Sequence, residues 1–500
     1  LGTVGVVEDL NMKSLPLSFQ GTPVPETTSE KQLVQVAGPG AYQTLAQEGE
    51  SFGGGDIIGE MTDSSGTRVK LSNDPDFNAF VQTAPGQGYL FSNWEDRPGG
   101  MSRIQVQKDG SGEWTVVNND AHMVDFRNVE GTWVNCFGTL SPWGTPLTSE
   151  ELYFDETEDW NNPNYQYIGG VEDLQSYLDG TYPNPYDYGY IVELTNPDAS
   201  NIANVTPNKL ETLGRFSHEN AVVMPDEKTV FMSDDGTGVV FFKFVADSAG
   251  DLSSGTLYAA RASQTGVSSN PAQADFDLTW IALGSEDEAT LESAIADYDG
   301  IDQSDYSSGS NSYITDEEIC DYSESVAGSD LACDSDSSAD SNPFGDNRVA
   351  FFESRKVAAN LGATAEFRKM EGVNINLTRA ESLSEDFDSG TTAYMYMAMS
   401  EVNATMADGS GDIDLTANDC GVVYQMPLEY NPMDNEYNVT GMTPIVAGGP
   451  YDSGASVNQC DVNNISNPDN VIVMEDGRVL IGEDTGEHEN NMLWVFDPEA

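Results

Sequence analysis

A lone cysteine and a pair of glutamates stand in one stretch rich in glycine, proline and tryptophan. The stretch is 133-WVNCFGTLSPWGTPLTSEE-151, with Cys136 near its start and Glu150 and Glu151 at its end. A thiolate at neutral pH needs positive charge beside it, and no lysine or arginine lies here, so a bound metal is the natural stabiliser. Sulfur with several carboxylates does not suit the tetrahedral zinc patterns. These residue types favour iron beside calcium; the alternative is that Cys136 is a buried apolar thiol.

The other four cysteines are predicted to form two disulfides. Cys320 and Cys333 flank an acidic loop, and Cys420 and Cys460 bracket a later segment, although spacing alone allows other pairings. Disulfides persist in oxidising surroundings, so we predict a secreted, extracellular or cell-surface protein. N-glycans are expected at the N-x-S/T sequons, which are Asn204, Asn376, Asn403, Asn438 and Asn464.

The charge of the chain excludes some partners. Its 500 residues include 84 acidic and 20 basic ones, for a formal net charge of -64. Such a field repels nucleic acid and anionic lipid, and it needs salt or bound cations to screen it. No run of eighteen apolar residues occurs, so no membrane-spanning helix is predicted.

The elements that must position these residues are short strands. Apolar, alternating runs bounded by turn residues recur as 86-GQGYLFSNWED, 225-PDEKTVFMSDDG, 392-TAYMYMAMSE and 475-EDGRVLIGED. Recurrent short sheets predict an all-β fold, and a β-propeller in particular, because its blades leave only short, protected edges. The inner strands of a propeller converge on one axis. If the strands above are innermost, the residues at their ends would share the mouth of the central channel. The alternative is that these residues are solvated turn residues. The strand-end residues are Asn93, Glu95, Asp234, Asp235, Glu401, Glu483 and Asp484.

Two segments differ in composition from the rest. Residues 1–85 are predicted to hold an N-terminal wrapping segment and the first outer strands, and 86–500 to form the propeller. Residues of about 284–347 are rich in serine and aspartate, which predicts an acidic insertion stapled by the Cys320–Cys333 pair rather than part of the core. Helices should be few and short. The best candidate is 287–298, whose apolar residues recur at helical spacing: Leu291, Ala294, Ile295 and Tyr298.

The stretch around Cys136 resembles the signature N-C-x-G-G-x-T-P-W-G-T-W-L-T-C-E-E of the PhoX-type alkaline phosphatases. Further similar blocks follow in the family's order over roughly residues 86 to 496. They are 188-YGYIVE-193, 214-GRFSHE-219, 229-TVFMSDDGTGVVFFKFVA-246 with 255-GTLYAAR-261, 370-MEG-372 and 468-PDN-470.

The resemblance implies a six-bladed propeller with an axial cluster, in which a cysteine bridges two ferric ions and carboxylates bind several calcium ions. By motif, Cys136 would be the iron thiolate. The other implied metal ligands are Glu151, Glu219, Glu371, Asp469 and the amide of Asn470, and Glu150 is a further candidate from the local sequence. Asn93 and Glu95 match an N-x-E strand end near the phosphate site. Lys369, with Arg368 beside it, stands where members carry an arginine that contacts phosphate, so Lys369 or Arg368 would donate to the phosphoryl oxygens. The resemblance thus implies that these four residues take part in catalysis.

The implied activity is hydrolysis of small phosphate monoesters by a secreted, metal-dependent enzyme. The departures from the family pattern are Trp94 for histidine, Phe137-Gly138 for two small residues, Ser149 for cysteine, and Lys369-Met370 for Arg-Pro. They keep the metal ligands and change substrate contacts, because a lysine lacks the bidentate geometry of arginine. One alternative is a non-catalytic, calcium-stabilised extracellular or cell-surface glycoprotein that self-assembles through its acidic surface and the insertion at 306–347. Another is a propeller hydrolase acting on a phosphodiester or a lactone.

Overall fold

The computed structural model describes residues 43–152, 157–335, 337–385 and 390–498, together with the backbone of two short strands nearer the N-terminus. Most of residues 1–42, the larger part of the predicted wrapping segment, lies outside the described residues.

Strands dominate the described chain. The first half contains β1 (Val6–Val7), β2 (Met12–Ser14), β3 (Glu60–Thr62), β4 (Arg68–Leu71), β5 (Pro75–Ala84), β6 (Gln87–Trp94), β7 (Gly100–Lys108), β8 (Trp114–Met123), β9 (Asn135–Leu140), β10 (Pro146–Glu150), β11 (Ile191–Thr195), β12 (Thr206–Leu210), β13 (His218–Val223), β14 (Thr229–Asp234), β15 (Thr237–Val239) and β16 (Phe242–Ser248). The second half contains β17 (Asp251–Thr265), β18 (Asp275–Asp287), β19 (Phe367–Arg368), β20 (Met370–Ile375), β21 (Tyr394–Met399), β22 (Val422–Asn431), β23 (Glu436–Val439), β24 (Gly441–Ala447), β25 (Pro468–Val473), β26 (Val479–Glu483) and β27 (Leu493–Phe496).

Helices are few and short, as predicted. The α-helices of the described residues are α1 (Ile168–Tyr177), α2 (Glu288–Ile295), α3 (Asp316–Ala327), α4 (Arg348–Phe352), α5 (Ser354–Asn360) and α6 (Leu377–Glu385). No helix in the described part of the chain combines the length and the apolar character needed to cross a bilayer.

Five groups of antiparallel strands carry the architecture. Strands β5 to β8 form one sheet, β9 to β12 a second, and β25 to β27 a third that also takes up β2 and β1. A large sheet contains two further groups, β13-β14-β16-β17 and β20-β21-β22-β24, which are joined where β18 pairs with β24. The four alternating runs recognised in the sequence fold as β6, β14, β21 and β26, each paired antiparallel with the strand that begins its group.

The first strands of these five groups surround a common axis. Strand β5 contacts β9, β9 contacts β13, β13 contacts β20, and β20 contacts β25. The ring closes where Asn470 of β25 donates a hydrogen bond to Asp76 of β5, with Nδ2 and Oδ1 3.0 Å apart. Radial sheets around an axis are typical of a propeller. Five such first strands occur among the described residues, so the six-blade count stays a prediction.

The beginning of the chain completes the last sheet. Strand β2 pairs antiparallel with β27, with Met12 opposite Phe496. The division of the chain at residue 85 stays a prediction, but β5, which precedes it, contacts the inner strand β9.

The acidic segment 284–347 contributes to the core, against expectation. Its helix α2 forms within the predicted range, and a 3₁₀ turn extends it to Tyr298. Leu291 of α2 and Ile319 and Tyr322 of α3 are buried in the largest apolar cluster. The serine and aspartate residues cover the outside, while the few apolar residues recur at helical spacing and pack inward.

Both predicted disulfides are present, Cys320–Cys333 and Cys420–Cys460, and Cys136 is the free cysteine of the described residues.

Removing the second bridge by Cys420→Ala with Cys460→Ala is expected to destabilise the protein by about 4 kcal/mol, because it frees a loop of some forty residues in the unfolded chain. Removing the first bridge should cost less, about 3 kcal/mol, because its loop is shorter. Urea unfolding of the two variants measures both values, and equal midpoints for both variants and the parent protein would contradict the prediction.

Candidate metal centre

Five potential ligands occupy the same position in five different strands. Each is the second residue of the first strand of its group: Asp76 in β5, Cys136 in β9, Glu219 in β13, Glu371 in β20 and Asp469 in β25. Side chains alternate between the two faces of a strand, so a shared position gives a shared direction. Packing the first strands around one axis therefore gathers one thiol and four carboxyl groups.

We call these five side chains, together with Glu95 and Glu151, the axial centre. Their donor atoms lie close enough together to act as ligands of the same metal ions. The Cys136 sulfur lies 3.1 Å from Asp76 Oδ2 and 3.3 Å from Glu219 Oε2. Three groups of residues each have donor atoms that all lie within 4.8 Å of one another. They are Asp76 with Cys136 and Glu219, Glu95 with Cys136 and Glu151, and Glu219 with Glu371 and Asp469. The first group shares Cys136 with the second and Glu219 with the third. The structure thus brings together Cys136, Glu151, Glu219, Glu371 and Asp469 as the resemblance implied.

Burial and crowding favour the protonated forms of these groups. Burial, followed by the charges of neighbouring carboxylates, raises the pKa of Cys136, Glu219 and Asp469 well above the ordinary values. The same causes raise the pKa of Glu371 to about 8 and that of Glu95 to about 7. Clustered carboxyl groups lose their protons readily only when positive charge lies among them.

The donor set fits hard and borderline metal cations. Glu219 Oε1 and Asn470 Oδ1 are buried and accept no hydrogen bond from the described residues. The amide of Asn470 is oriented by its bond to Asp76. Carboxylate and amide oxygens suit calcium, and a thiolate among them suits iron.

The Lys369 ammonium reaches the carboxylates of this centre. The Lys369 ammonium lies 3.1 Å from Asp235 Oδ2 and 3.5 Å from Glu371 Oε1. Burial lowers the pKa of Lys369, but the charges of Glu371 and Asp235 outweigh it, so the net shift is upward. Lys369 is therefore charged, and its side chain keeps 30% of its surface exposed at the rim of the centre.

The structure gives Arg368 another set of partners. Its guanidinium pairs with Glu401 at 2.6 Å and donates to Asn403 Oδ1 at 3.0 Å and Thr237 Oγ1 at 2.9 Å. Arg368 therefore fixes the loops beside the centre.

The two residues of the N-x-E strand end lie beside Cys136 in different roles. Asn93 is fully buried, and its Nδ2 donates to the backbone carbonyl of Cys136. Glu95 belongs to the group of Cys136 and Glu151. Asn93 thus supports the strand that carries the thiol, while Glu95 offers an oxygen to the centre.

Glu150 lies outside the axial centre. Its Oε1 accepts bonds from Lys209 Nζ and the Trp133 amide, each at 3.1 Å. Its Oε2 accepts bonds from the amides of Gly189 and Tyr190, each at 3.0 Å. Both oxygens of this buried carboxylate are engaged by the protein, so Glu150 joins strands rather than offering a ligand.

The remaining strand-end acids divide between the centre and structural pairs. Asp235 lies beside Lys369, whereas Asp234 pairs with Arg355. Glu483 accepts hydrogen bonds from the Trp494 indole at 2.7 Å and from the Met492 amide at 3.0 Å. Strand ends alone therefore do not identify ligands.

Sequence reasoning missed Asp76. The sequence carries a signal for this residue, because two strands begin alike. The stretches 73-NDPDFN-78 and 466-SNPDNV-471 both place an aspartate directly after a proline. Proline is tolerated at the first residue of a strand, and the acid after it takes the second position.

The family model for alkaline phosphatase PhoX matches residues 91–497. Pseudomonas fluorescens PhoX, solved in complex with vanadate, a transition state analogue, is similar in fold, with a TM-score of 0.56 and 18% sequence identity over 86% of this chain and 78% of that chain. A putative 6-phosphogluconolactonase from Bacteroides uniformis has a TM-score of 0.25 and 10% identity, over 84% of each chain. No curated protein matches the chain. Because the family model covers most of the sequence, the chain belongs to the PhoX family of alkaline phosphatases, which makes it a phosphoric monoester hydrolase.

Proposed function

We propose that this chain is a secreted phosphatase that hydrolyses small phosphate monoesters at the axial centre, with two Fe³⁺ ions and several Ca²⁺ ions bound there. The observation that supports it most is the convergence of Cys136 with four carboxylates from the first strands of five antiparallel groups. Cys136 and Glu219 would hold iron, and Glu151, Glu371, Asp469 and the Asn470 amide would complete the cation sites. Six blades remain part of this proposal.

Charge explains why such a centre suits phosphate esters. A phosphate monoester carries nearly two negative charges at neutral pH. The carboxylates alone would repel it, so the centre can accept the ester only with its cations in place. The chemistry that bound cations supply at such a site is polarisation of the phosphoryl oxygens.

Residues of the chain would orient the ester. Lys369, exposed at the rim and held by Asp235 and Glu371, would donate to a phosphoryl oxygen. Asn93 would hold the Cys136 strand in place through its bond to the Cys136 carbonyl. The vanadate bound to Pseudomonas fluorescens PhoX supports this reaction class, because vanadate there is a transition state analogue.

Purified protein tests the proposal directly. We expect release of p-nitrophenol from p-nitrophenyl phosphate, loss of that activity on chelation, and iron and calcium in elemental analysis. A metal-replete but inert protein would contradict the proposal and favour the structural glycoprotein. Faster turnover of bis-p-nitrophenyl phosphate than of the monoester would favour a phosphodiesterase.

Lys369→Ala is expected to raise KM for p-nitrophenyl phosphate by roughly tenfold, because a charge-assisted hydrogen bond to the phosphoryl group is lost. Metal content should stay unchanged. Lys356→Ala is the matched control, because Lys356 pairs with Asp316 on α3, outside the centre, and should leave KM unchanged. Loss of iron and calcium from Lys369→Ala in parallel with activity would instead make Lys369 a structural partner of the carboxylates.

An extracellular location is also proposed. Two disulfides support it. Of the five sequons, Asn204 lies exposed in a short 3₁₀ turn, whereas Asn376 is 8% exposed and its Nδ2 donates to the backbone carbonyls of Met474 and Glu475. We therefore propose Asn204 as the glycosylated sequon, which mass spectrometry of a secreted preparation would test.

A further inference from the structure

A second arginine, Arg355 of α5, reaches the rim of the axial centre from outside the family blocks. Its Nε donates to Asp234 Oδ2 at 2.8 Å, and its Nη2 contacts the other oxygen of the same carboxylate. The same Nη2 donates to the backbone carbonyl of Asp235 at 3.0 Å. The Asp234 side chain is fully buried, and that of Arg355 is 11% exposed. The guanidinium thus holds two consecutive residues in one fixed arrangement.

The Asp235 carboxylate is thereby left to face the centre. The Asp235 amide donates to the Ser217 carbonyl at 2.9 Å, so Arg355 and Ser217 hold the backbone of Asp235 on both sides. Asp235 Oδ2 then accepts the bond from the Lys369 ammonium at 3.1 Å.

The backbone of Lys369 is held by the same turn. Its amide donates to the Gly236 carbonyl at 2.8 Å, directly after Asp235. Lys369 adopts a φ of 46°, a conformation that a lysine takes only when its surroundings impose it. Both ends of Lys369, its amide and its ammonium, therefore depend on residues 235–236.

We infer that Arg355 is a positioning residue for phosphate recognition: it fixes the Asp234–Asp235 turn so that Asp235 holds the Lys369 ammonium where the phosphoryl group binds. This inference rests on the proposed function. An arginine brings its own planar, bidentate geometry to phosphate, but a lysine is a point charge on a flexible stem. A lysine at this position therefore takes its orientation from its neighbours, and Arg355 supplies it through Asp235.

A double-mutant cycle tests this inference with the full-length, metal-loaded protein. Arg355→Lys keeps the charge and loses the two-pronged contact. In the parent background we expect it to raise KM for p-nitrophenyl phosphate by roughly fivefold, with kcat within about twofold and metal content unchanged. In the Lys369→Ala background the same substitution should change KM less than about twofold, because the residue that it positions is gone.

Arg348→Lys is the matched control, because Arg348 makes a similar two-pronged contact with Asp346, each bond 2.8 Å long, in the acidic segment. It should leave KM unchanged in both backgrounds. An equal effect of Arg355→Lys with and without Lys369 would make Arg355 a purely structural residue and overturn the inference. Loss of metal from Arg355→Lys would overturn it as well. If Arg355→Lys fails to fold, Asp235→Asn, which leaves Arg355 in place, must show the same dependence on Lys369, and additive effects would reject the inference. An inert parent protein would instead refute the proposed function.

Discussion

Cys136→Ser is expected to abolish binding of the iron proposed for the axial centre and to lower phosphatase activity at least about a hundredfold, while the protein keeps its fold. The thiol lies between Asp76 and Glu219, at 3.1 and 3.3 Å, at the meeting point of two donor groups. A serine hydroxyl has nearly the same shape but does not ionise near neutral pH, so it cannot replace a thiolate as a ligand. The visible absorbance of the purified protein and iron per mole of chain measure the loss.

The control for this prediction is Ser149→Ala. Ser149 is fully buried in β10, at the position where the family signature carries a second cysteine, and its hydroxyl has no hydrogen-bond partner among the described residues. Its removal should leave iron and activity unchanged. A Cys136→Ser protein with full iron content and full activity would refute the thiolate ligand.

Removing the cations is expected to destabilise the protein strongly above neutral pH. Without cations, the folded state raises the pKa of Glu371 to about 8 and that of Glu95 to about 7, through burial first and neighbouring carboxylates next. Between the unfolded value near 4.5 and these folded values, the folded state binds more protons than the unfolded state. The contribution of Glu371 and Glu95 to the stability of the metal-free protein is therefore fully present below about pH 4.5. It is lost as the pH rises to about 8.

Thermal unfolding at pH 5, 6.5 and 8 tests this effect. After chelation we expect the midpoint to drop by roughly 5 °C or more between pH 5 and pH 8, and added calcium to restore it. Glu371→Gln removes one of the titrating groups, so its metal-free form should show a shallower decline. A midpoint that is insensitive to both chelation and pH would contradict the picture of carboxylates held together by cations.

The ligands of the axial centre that lie in sequence motifs of the family were predictable from the sequence. Cys136, Glu219 and Asp469 lie in blocks that resemble the family, and the structure gathers all three. Asp76 was missed because it precedes those blocks, and because acids were sought at the ends of strands. The structure places the ligands at the second position of inner strands instead.

Strand alternation explains where the sequence interpretation went wrong. Glu150 and Glu151 are neighbours, so on an extended chain they point in opposite directions. Glu151 faces the axis, while Glu150 faces Lys209 and the amides around it. The same alternation separates Asp235, which holds Lys369, from Asp234, which pairs with Arg355. A pair of adjacent acids in a strand offers one axial ligand.

Composition alone misjudged the acidic segment. Its many serine and aspartate residues suggested a loop outside the core, but average polarity does not reveal a helical stripe of apolar residues. Ile319 and Tyr322, three positions apart on α3, are both buried against the sheets. Membership in the PhoX family was predictable because several ordered blocks carry the resemblance, and the family model, which covers residues 91–497, confirms it.

The scatter of the ligands along the chain has a consequence for biosynthesis. The contributing strands run from β5, near residue 76, to β25, near residue 469, and the last sheet recruits β2 from the beginning of the chain. No ribosome-bound fragment that stops before residue 469 possesses the full set of donors. A metal site that uses both Asp76 and Asp469 can therefore form only after residue 469 has been synthesised and β25 has folded beside β5.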